Sequence, residues 1–235
     1  HSLPPHLWNT PMLTVTHHLL GEDLVLHPHR ALYWPRLQWL LVSDLHLGKA
    51  AHFRRAGAAL PEGHDDRVLQ RLEGLVGVFR PERLVVLGDL FHSVHNHRWA
   101  PFAAWVKQLG IPVELVPGNH DILAHRHYRE AGLTLHDDTV EAGPFVFTHE
   151  PVERPGCYVI AGHVHPGVRL SGLGGQSMRL PCFRFGPQQA LLPAFGMATG
   201  LHLQRPTVED RTYAVTERAV LDVSGLLKPQ GRAQR

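Results

Sequence analysis

Asp44-Leu45-His46, Gly88-Asp89, Gly118-Asn119-His120-Asp121, Thr148-His149 and Gly162-His163-Val164-His165 follow one another along the chain, each directly after an apolar run. Carboxylate, amide and imidazole donors in such a mixture suit Mn, Fe, Zn or Ni better than Mg or Ca, which prefer oxygen alone. Two divalent ions roughly 3.5–4 Å apart clamp the attacking and leaving oxygens of a phosphate ester, and they need one anion between them. Asp89 is the natural bridge, because a carboxylate can offer one oxygen to each ion. Asp44 and His46 lie two residues apart, so a strictly extended segment would turn both to one face and one ion. His163 and His165 repeat that spacing, but a turn after Gly162 could send them to different ions. Singly, an Asp-x-His or a Gly-Asp is an ordinary turn. Five such motifs in order, each at the end of an apolar run, argue jointly for a metal site.

The elements that must carry these groups are legible around them. Residues 38–43, 83–87, 111–116, 145–147 and 158–161 are short apolar runs, too brief for helices, of the kind that form strands covered on both faces. Between them, Leu and Val at helical spacing predict a helix over 61–79, and a second spans 98–109, stopping at Gly110. Strands alternating with helices predict an α/β sheet, whose ligands bind outside the carboxyl ends of the strands. Short strands are also expected at 13–18, 24–27 and 31–34, and a strand-rich second half at 167–170, 178–185, 189–192, 212–216 and 220–223.

With 235 residues, 43% of them hydrophobic, the chain can fill one sizeable core, and no linker divides it. A single domain over 1–235 is expected, with a polar, disordered tail at 228–235. Residues 1–11, before Met12, read as an expression remnant, an alternative start or flexible native sequence. No run approaches the roughly 20 apolar residues of a membrane span, which predicts a soluble, cytoplasmic protein. Cys157 and Cys182 are too few for a disulfide framework and read as buried free thiols.

A formal net charge of +2, with 20 His taken as neutral, excludes a dedicated duplex-wrapping protein. A local patch fits better: Lys49, His52, Arg54 and Arg55 follow the first motif directly and are placed to meet phosphates flanking a scissile one, although Arg54 and Arg55 could equally solvate a helix or loop. His92 is a candidate for the phosphate pocket, ahead of His95 and His97. The five tryptophans, Trp8, Trp34, Trp39, Trp99 and Trp105, lack interleaved basic residues, so packing is expected for most of them rather than base stacking.

The motif string resembles the calcineurin-like metallophosphoesterase superfamily from about residue 38 to residue 165, with Asp44, His46, Asp89, Asn119, His120, His149, His163 and His165 all matching its pattern. Ala31-Leu32-Tyr33-Trp34-Pro35, Lys49-Ala50-Ala51-His52-Phe53-Arg54, Leu180-Pro181-Cys182-Phe183 and Leu192-Pro193-Ala194-Phe195-Gly196 extend the likeness to the bacterial ligase-associated DNA-damage-response endonucleases of the PdeM type. The resemblance implies an α/β fold, a two-sheet β-sandwich flanked by helices. It implies that Asp44, His46 and His165 hold one ion, that Asn119, His149 and His163 hold the other, and that Asp89 bridges. His120 then becomes the general acid, with Asp121 as its orienting partner, and a hydroxide activated by the ion pair attacks phosphorus in line.

By the same resemblance the activity is a manganese-dependent phosphodiesterase cutting single-stranded DNA, encoded beside a repair helicase, an exonuclease and a DNA ligase; the sequence leaves the oligomeric state open, a homo-oligomer included. Two alternatives stand beside it. One is a phosphoesterase acting on a nucleotide or a lipid-linked small molecule; the other is a non-catalytic scaffold of the same fold, against which the complete ligand set argues.

Overall fold

Runs such as Trp39–Ser43 and Tyr158–Ala161 have no charged side for water, so each must be covered on both faces. The computed structural model describes residues 11–48, 63–91, 99–172, 175–197 and 199–227. Its first sheet takes its strands in chain order: β1 (Val15–Leu19), β2 (Glu22–His27), β3 (Ala31–Trp34), β4 (Trp39–Ser43), β5 (Arg83–Leu87), β6 (Val113–Val116) and β7 (Leu133–Leu135). The pairs up to β3–β4 are antiparallel, and β4 through β7 run parallel. Helices α1 (His64–Phe79), α2 (Trp99–Leu109) and α3 (His125–Glu130) make the crossovers.

Period-two alternation divides each central strand between two layers. Leu40 and Val42 of β4, Leu84 and Val86 of β5, and Val113 and Leu115 of β6 pack with Val68, Leu72 and Leu75 of α1, Phe102 and Trp105 of α2, and Tyr128 of α3. Leu41, Val85, Leu87 and Val116 face the other way, onto Phe145, Phe147, Tyr158, Ile160 and Phe183 of the second sheet. A fully buried aromatic of this kind contributes about 2–3 kcal/mol by transfer alone.

That second sheet contains β8 (Thr139–Ala142), β9 (Phe145–Thr148), β10 (Tyr158–Ala161), β11 (Pro166–Ser171), β12 (Ser177–Phe185), β13 (Gln189–Leu191), β14 (His202–Leu203), β15 (Arg211–Val215) and β16 (Val220–Asp222). Its order is β14-β11-β12-β13-β10-β9-β8, with β15 paired to both β12 and β16. β9, β10 and β13 are parallel, so β9 and β10 also deliver their carboxyl ends to one edge. The expected two-sheet α/β sandwich is thus the observed one.

Differences from the sequence expectations are local. β7, β8, β14 and α3 were not foreseen, being two to six residues long with no sustained periodicity. Cys182 is buried as expected but Cys157 is exposed, in the connection before β10. Trp34, Trp39 and Trp105 are core residues. The beginnings of the two predicted helices at 61–62 and 98, Trp8 and the tail 228–235 lie outside the described residues. No helix among the described residues is long and apolar enough to cross a membrane.

His27, buried at the end of β2, accepts the His29 backbone N–H on Nδ1 at 3.0 Å, a bond open only to the neutral ring. Burial, with the neighbouring His29 and Arg71, pushes its pKa from 6.5 down to about 4, and burial does the same to His29. Both rings stay neutral in the folded chain while the unfolded chain takes up protons first, so their contribution is complete above pH 6.5 and is lost as pH falls toward 4. Unfolding free energies from urea titrations across that range should fall by up to roughly 2 kcal/mol per histidine by about pH 5, and His27→Gln should flatten the decline.

Candidate metal centre

Strands β4 and β5 end side by side, and their continuations stay zipped. The N–H groups of Asp44, His46 and Leu47 donate to the carbonyls of Gly88, Asp89 and Leu90 at 3.1, 2.9 and 2.9 Å. Neither segment is extended: Asp44, His46 and Asp89 have φ of 54°, 48° and 49°, and across the site His163 and His165 have 65° and 52°. The extended geometry that would put Asp44 and His46 on one face is not the one adopted: both residues are left-handed. They still converge, because the αL turns swing both side chains inward.

Two groups of donors result. Asp44, His46 and His165 offer ligand atoms all within 4.8 Å of one another, and so do Asp89, His149 and His163. The open question at Gly162 is settled by geometry: the left-handed turn sends His163 to one group and His165 to the other. In the first group His165 Nε2 lies 3.3 Å from Asp44 Oδ1 and 3.2 Å from His46 Nε2. In the second, His149 Nε2 lies 3.0 Å from His163 Nδ1. Asp89 spans them, with Oδ2 3.8 Å from His46 Nε2 and Oδ1 3.5 Å from His149 Nε2.

The protein's own bonds prepare these atoms for a cation. His149 Nδ1 donates to the Leu87 carbonyl at 3.0 Å, which leaves Nε2 with a free lone pair turned inward. Asp44 accepts the His163 backbone N–H on Oδ2 at 2.9 Å, while its buried Oδ1 finds no hydrogen-bond donor among the described residues. Burial alone would raise the Asp44 pKa, yet the His165 and His149 imidazoles and the His163 amide hold it below the usual carboxylate value. Imidazole nitrogens facing each other at 3.0–3.2 Å require a proton or a cation between their lone pairs. The donor set fits divalent transition metals.

Glycine makes the convergence sterically possible. A Cβ on Gly88, at φ 72°, would meet His149 Nδ1 at 2.1 Å; one on Gly118 would meet Asp89 Oδ1 at 2.5 Å; one on Gly162 would meet Ser43 Cβ at 2.6 Å and Asp44 Oδ2 at 2.7 Å. Each motif glycine is thus the space into which a neighbouring donor fits.

The loop after β6 completes the rim. His120 donates its backbone N–H to Asp89 Oδ1 at 3.1 Å, while its exposed ring stands 5.9 Å from that of His46. Asn119, also exposed, donates through Nδ2 to Glu150 Oε1 at 2.6 Å, leaving its Oδ1 as the donor atom for a cation. Asp121 is buried, and its oxygens accept the N–H groups of Leu90 and Gly118 at 3.0 and 2.9 Å. It acts on the loop backbones after β5 and β6, and through them on His120. Burial, against the opposing Gly118 bond and with Asp89 nearby, pushes its pKa up to about 6. Glu150 was missed by the sequence reading, since no motif marks it. Lys49, Arg54, Arg55 and His92 lie outside the described residues.

Residues 38–181 match the calcineurin-like phosphoesterase family. The chain belongs to that family. Its members use a dinuclear metal site, in keeping with the two donor groups of this phosphoesterase. Among solved structures it is similar to the nuclease MPE of Pseudomonas putida, at 32% identity and a TM-score of 0.76, over 89% of this chain and 99% of that one. A protein of unknown function from Aquifex aeolicus shares 20% identity over 58% of this chain and 81% of its own, with a TM-score of 0.42, too slight a likeness to argue from. No curated protein matches it in sequence.

Two substitutions test this geometry. Asp89→Ala removes the one carboxylate shared by both groups, so metal-dependent hydrolysis should be abolished and elemental analysis should find the ion pair lost; two retained ions with near-normal turnover would rule out the bridge. Gly118→Ala should weaken manganese binding by at least about tenfold, ~1.4 kcal/mol, in calorimetric titration of a folded protein. Gly74→Ala, in α1 with nothing within 4 Å of the added methyl, should instead leave metal binding unchanged and stabilise the fold by roughly 0.5–1 kcal/mol.

Proposed function

We propose that this phosphoesterase is a manganese-dependent phosphodiesterase that cuts single-stranded DNA during repair. The observation that carries the reading is Asp89, one oxygen toward each donor group, beneath an exposed His120. Asp44, His46 and His165 would hold one ion, Asn119, His149 and His163 the other, and Asp89 both. Divalent ions there supply Lewis-acid stabilisation of the phosphoryl oxygens and acidify a water. Manganese leads among Mn, Fe, Zn and Ni because the resemblance to the ligase-associated endonucleases implies it.

The protein's own part is positioning and proton transfer. Asp121 clamps the loops after β5 and β6, the Asp89 carboxylate receives the His120 amide, and the His120 ring is left at the rim, where it can protonate the departing sugar alkoxide. Among the described residues, Asn119, His120 and His163 of the rim are exposed, which supports a polymer over a small enclosed ester. The likeness to a nuclease over 89% of the chain supports the same choice. Lys49, Arg54, Arg55 and His92 would meet the flanking phosphates, and a helicase, an exonuclease and a DNA ligase would be its cytoplasmic partners in repair.

Incubation of the purified protein and manganese with single-stranded circular DNA, beside nucleotide diesters and monoesters, tests the substrate. Nicking of the circle should dominate; hydrolysis of the small esters alone would assign a nucleotide phosphoesterase. His120→Ala separates acid from ligand. A nitrophenolate departs nearly unaided, so the variant should keep both ions and hydrolyse a nitrophenyl diester well. Its cutting of DNA should fall by about 10²- to 10⁴-fold. Loss of an ion, or equal slowing of both substrates, would make His120 a ligand or a phosphate-positioning group instead.

A further inference from the structure

Arg30, in the turn between β2 and β3, and Arg71, in α1, lie beside one another with no carboxylate partner among the described residues. Arg30 Nη1 donates to the carbonyls of Ala194 and Gly196 at 3.2 and 3.3 Å. Arg71 donates to those of Phe195 and His29 at 3.2 and 2.9 Å, and its guanidinium lies over the Phe195 ring at 4.4 Å. Two like charges held largely out of water against neutral carbonyls are unfavourable unless the geometry they impose matters elsewhere.

The ring of Phe195 also packs in the core beneath α1 and the Gly196 carbonyl accepts the Thr199 hydroxyl at 3.1 Å, while the amides of the loop make a further set of contacts. Phe195 and Gly196 donate their N–H groups to the carbonyls of Ser43 and Asp44 at 2.8 and 3.0 Å. Gly196 approaches so closely that a Cβ there would meet the Leu45 carbonyl at 2.6 Å. Residues 194–196 therefore turn their carbonyls to the arginines, and Phe195 and Gly196 turn their amides to the strand end that carries Asp44. Asp44 is left-handed at φ 54°, a state that costs a non-glycine residue about 1–2 kcal/mol and persists only where its surroundings over-determine it. Its own N–H goes to Gly88; the bonds on its carbonyl side come from this loop.

We propose that Arg30 and Arg71 are positioning residues of the metal centre: through the 193–196 loop they hold Asp44 in its left-handed conformation, with Oδ1 turned to the group that includes His46 and His165. The inference rests on the reading that this group binds an ion. Guanidinium suits the task because it is always charged and offers several donors in a fixed plane, so one residue can gather more than one carbonyl. A carboxylate beside it would draw those donors away from the loop.

Manganese titration of the metal-free full chain by calorimetry, with electron paramagnetic resonance of the loaded protein, tests it. Wild type should bind two ions and give the exchange-coupled signal of a bridged pair. Arg71→Met and Arg30→Met should keep one ion at wild-type affinity, bind the other at least about tenfold more weakly, and give a mononuclear signal. Arg71→Lys, which still donates to one carbonyl, should recover part of the loss. Gly196→Ala, with both arginines intact, should reproduce the selective loss by pushing the loop off Leu45. Binding of both ions at wild-type affinity in the arginine variants, or equal weakening of both ions, overturns the proposal. Should the methionine variants fail to fold, the same two outcomes in Arg71→Lys and Gly196→Ala decide it. A wild type that binds no second ion defeats the metal reading itself, a result distinct from any of these.

Discussion

Five donor-bearing residues, Asp44, His46, Asp89, His163 and His165, stand in left-handed backbone. At about 1–2 kcal/mol each, the strain sums to roughly 5–10 kcal/mol, the size of a protein's whole net stability. Such a site can exist only at the edge of something much stiffer. The two sheets provide it: strands β4, β5, β9 and β10 are buried along nearly all their length and end within hydrogen-bond reach of one another. Bonds such as Asp44 to Gly88, His46 to Asp89 and Gly162 to His149 then fix turns that the local sequence disfavours.

The same crowding explains the composition of the motifs. Six nitrogen and carboxylate donors are brought to within a few ångströms only because Gly88, Gly118 and Gly162 vacate the space that side chains would occupy. Packing this tight leaves little tolerance, so residues that touch no donor still matter to it. Asp121 ties the loops after β5 and β6 through two backbone amides, and Asp65, in the first turn of α1, accepts the Gly48 N–H at 3.0 Å just past His46. Arg30 and Arg71 act on Asp44 from the opposite side, through a loop. Strain in the ligands and rigidity in the support are two aspects of one arrangement, a pre-shaped cation site on an open rim.

Much of this was legible before folding was considered. Donor types in a fixed order after apolar runs announced a two-metal centre, and the runs themselves marked β4, β5, β6, β9 and β10 almost to the residue, because strands buried on both faces have little choice of composition. Asp89 as the shared carboxylate rested on its two oxygens, one for each ion. The shorter elements escaped: β7, β8, β14 and α3 are held by their neighbours rather than by a pattern of their own. Glu150, Arg30 and Arg71 escaped too, since a carboxylate after a histidine and arginines in a turn and a helix look like ordinary solvated charge.

What the sequence by itself determined, then, is which atoms can bind metal and which strands carry them, since both depend on residue type and on spacing along the chain. Spacing left open how those atoms divide; the family resemblance implied a division, and the tertiary structure shows the geometry that makes it. His163 and His165, two residues apart, join different groups, whereas Asp44 and His46, at the same spacing, join one. Spacing is identical in the two cases. The difference comes from where each left-handed turn is held, Asp44 and His46 by the continuation of β5, and His163 by the Asp44 carboxylate across the gap between the sheets. Such contacts join residues as many as 119 positions apart, a separation over which local sequence carries no geometric information.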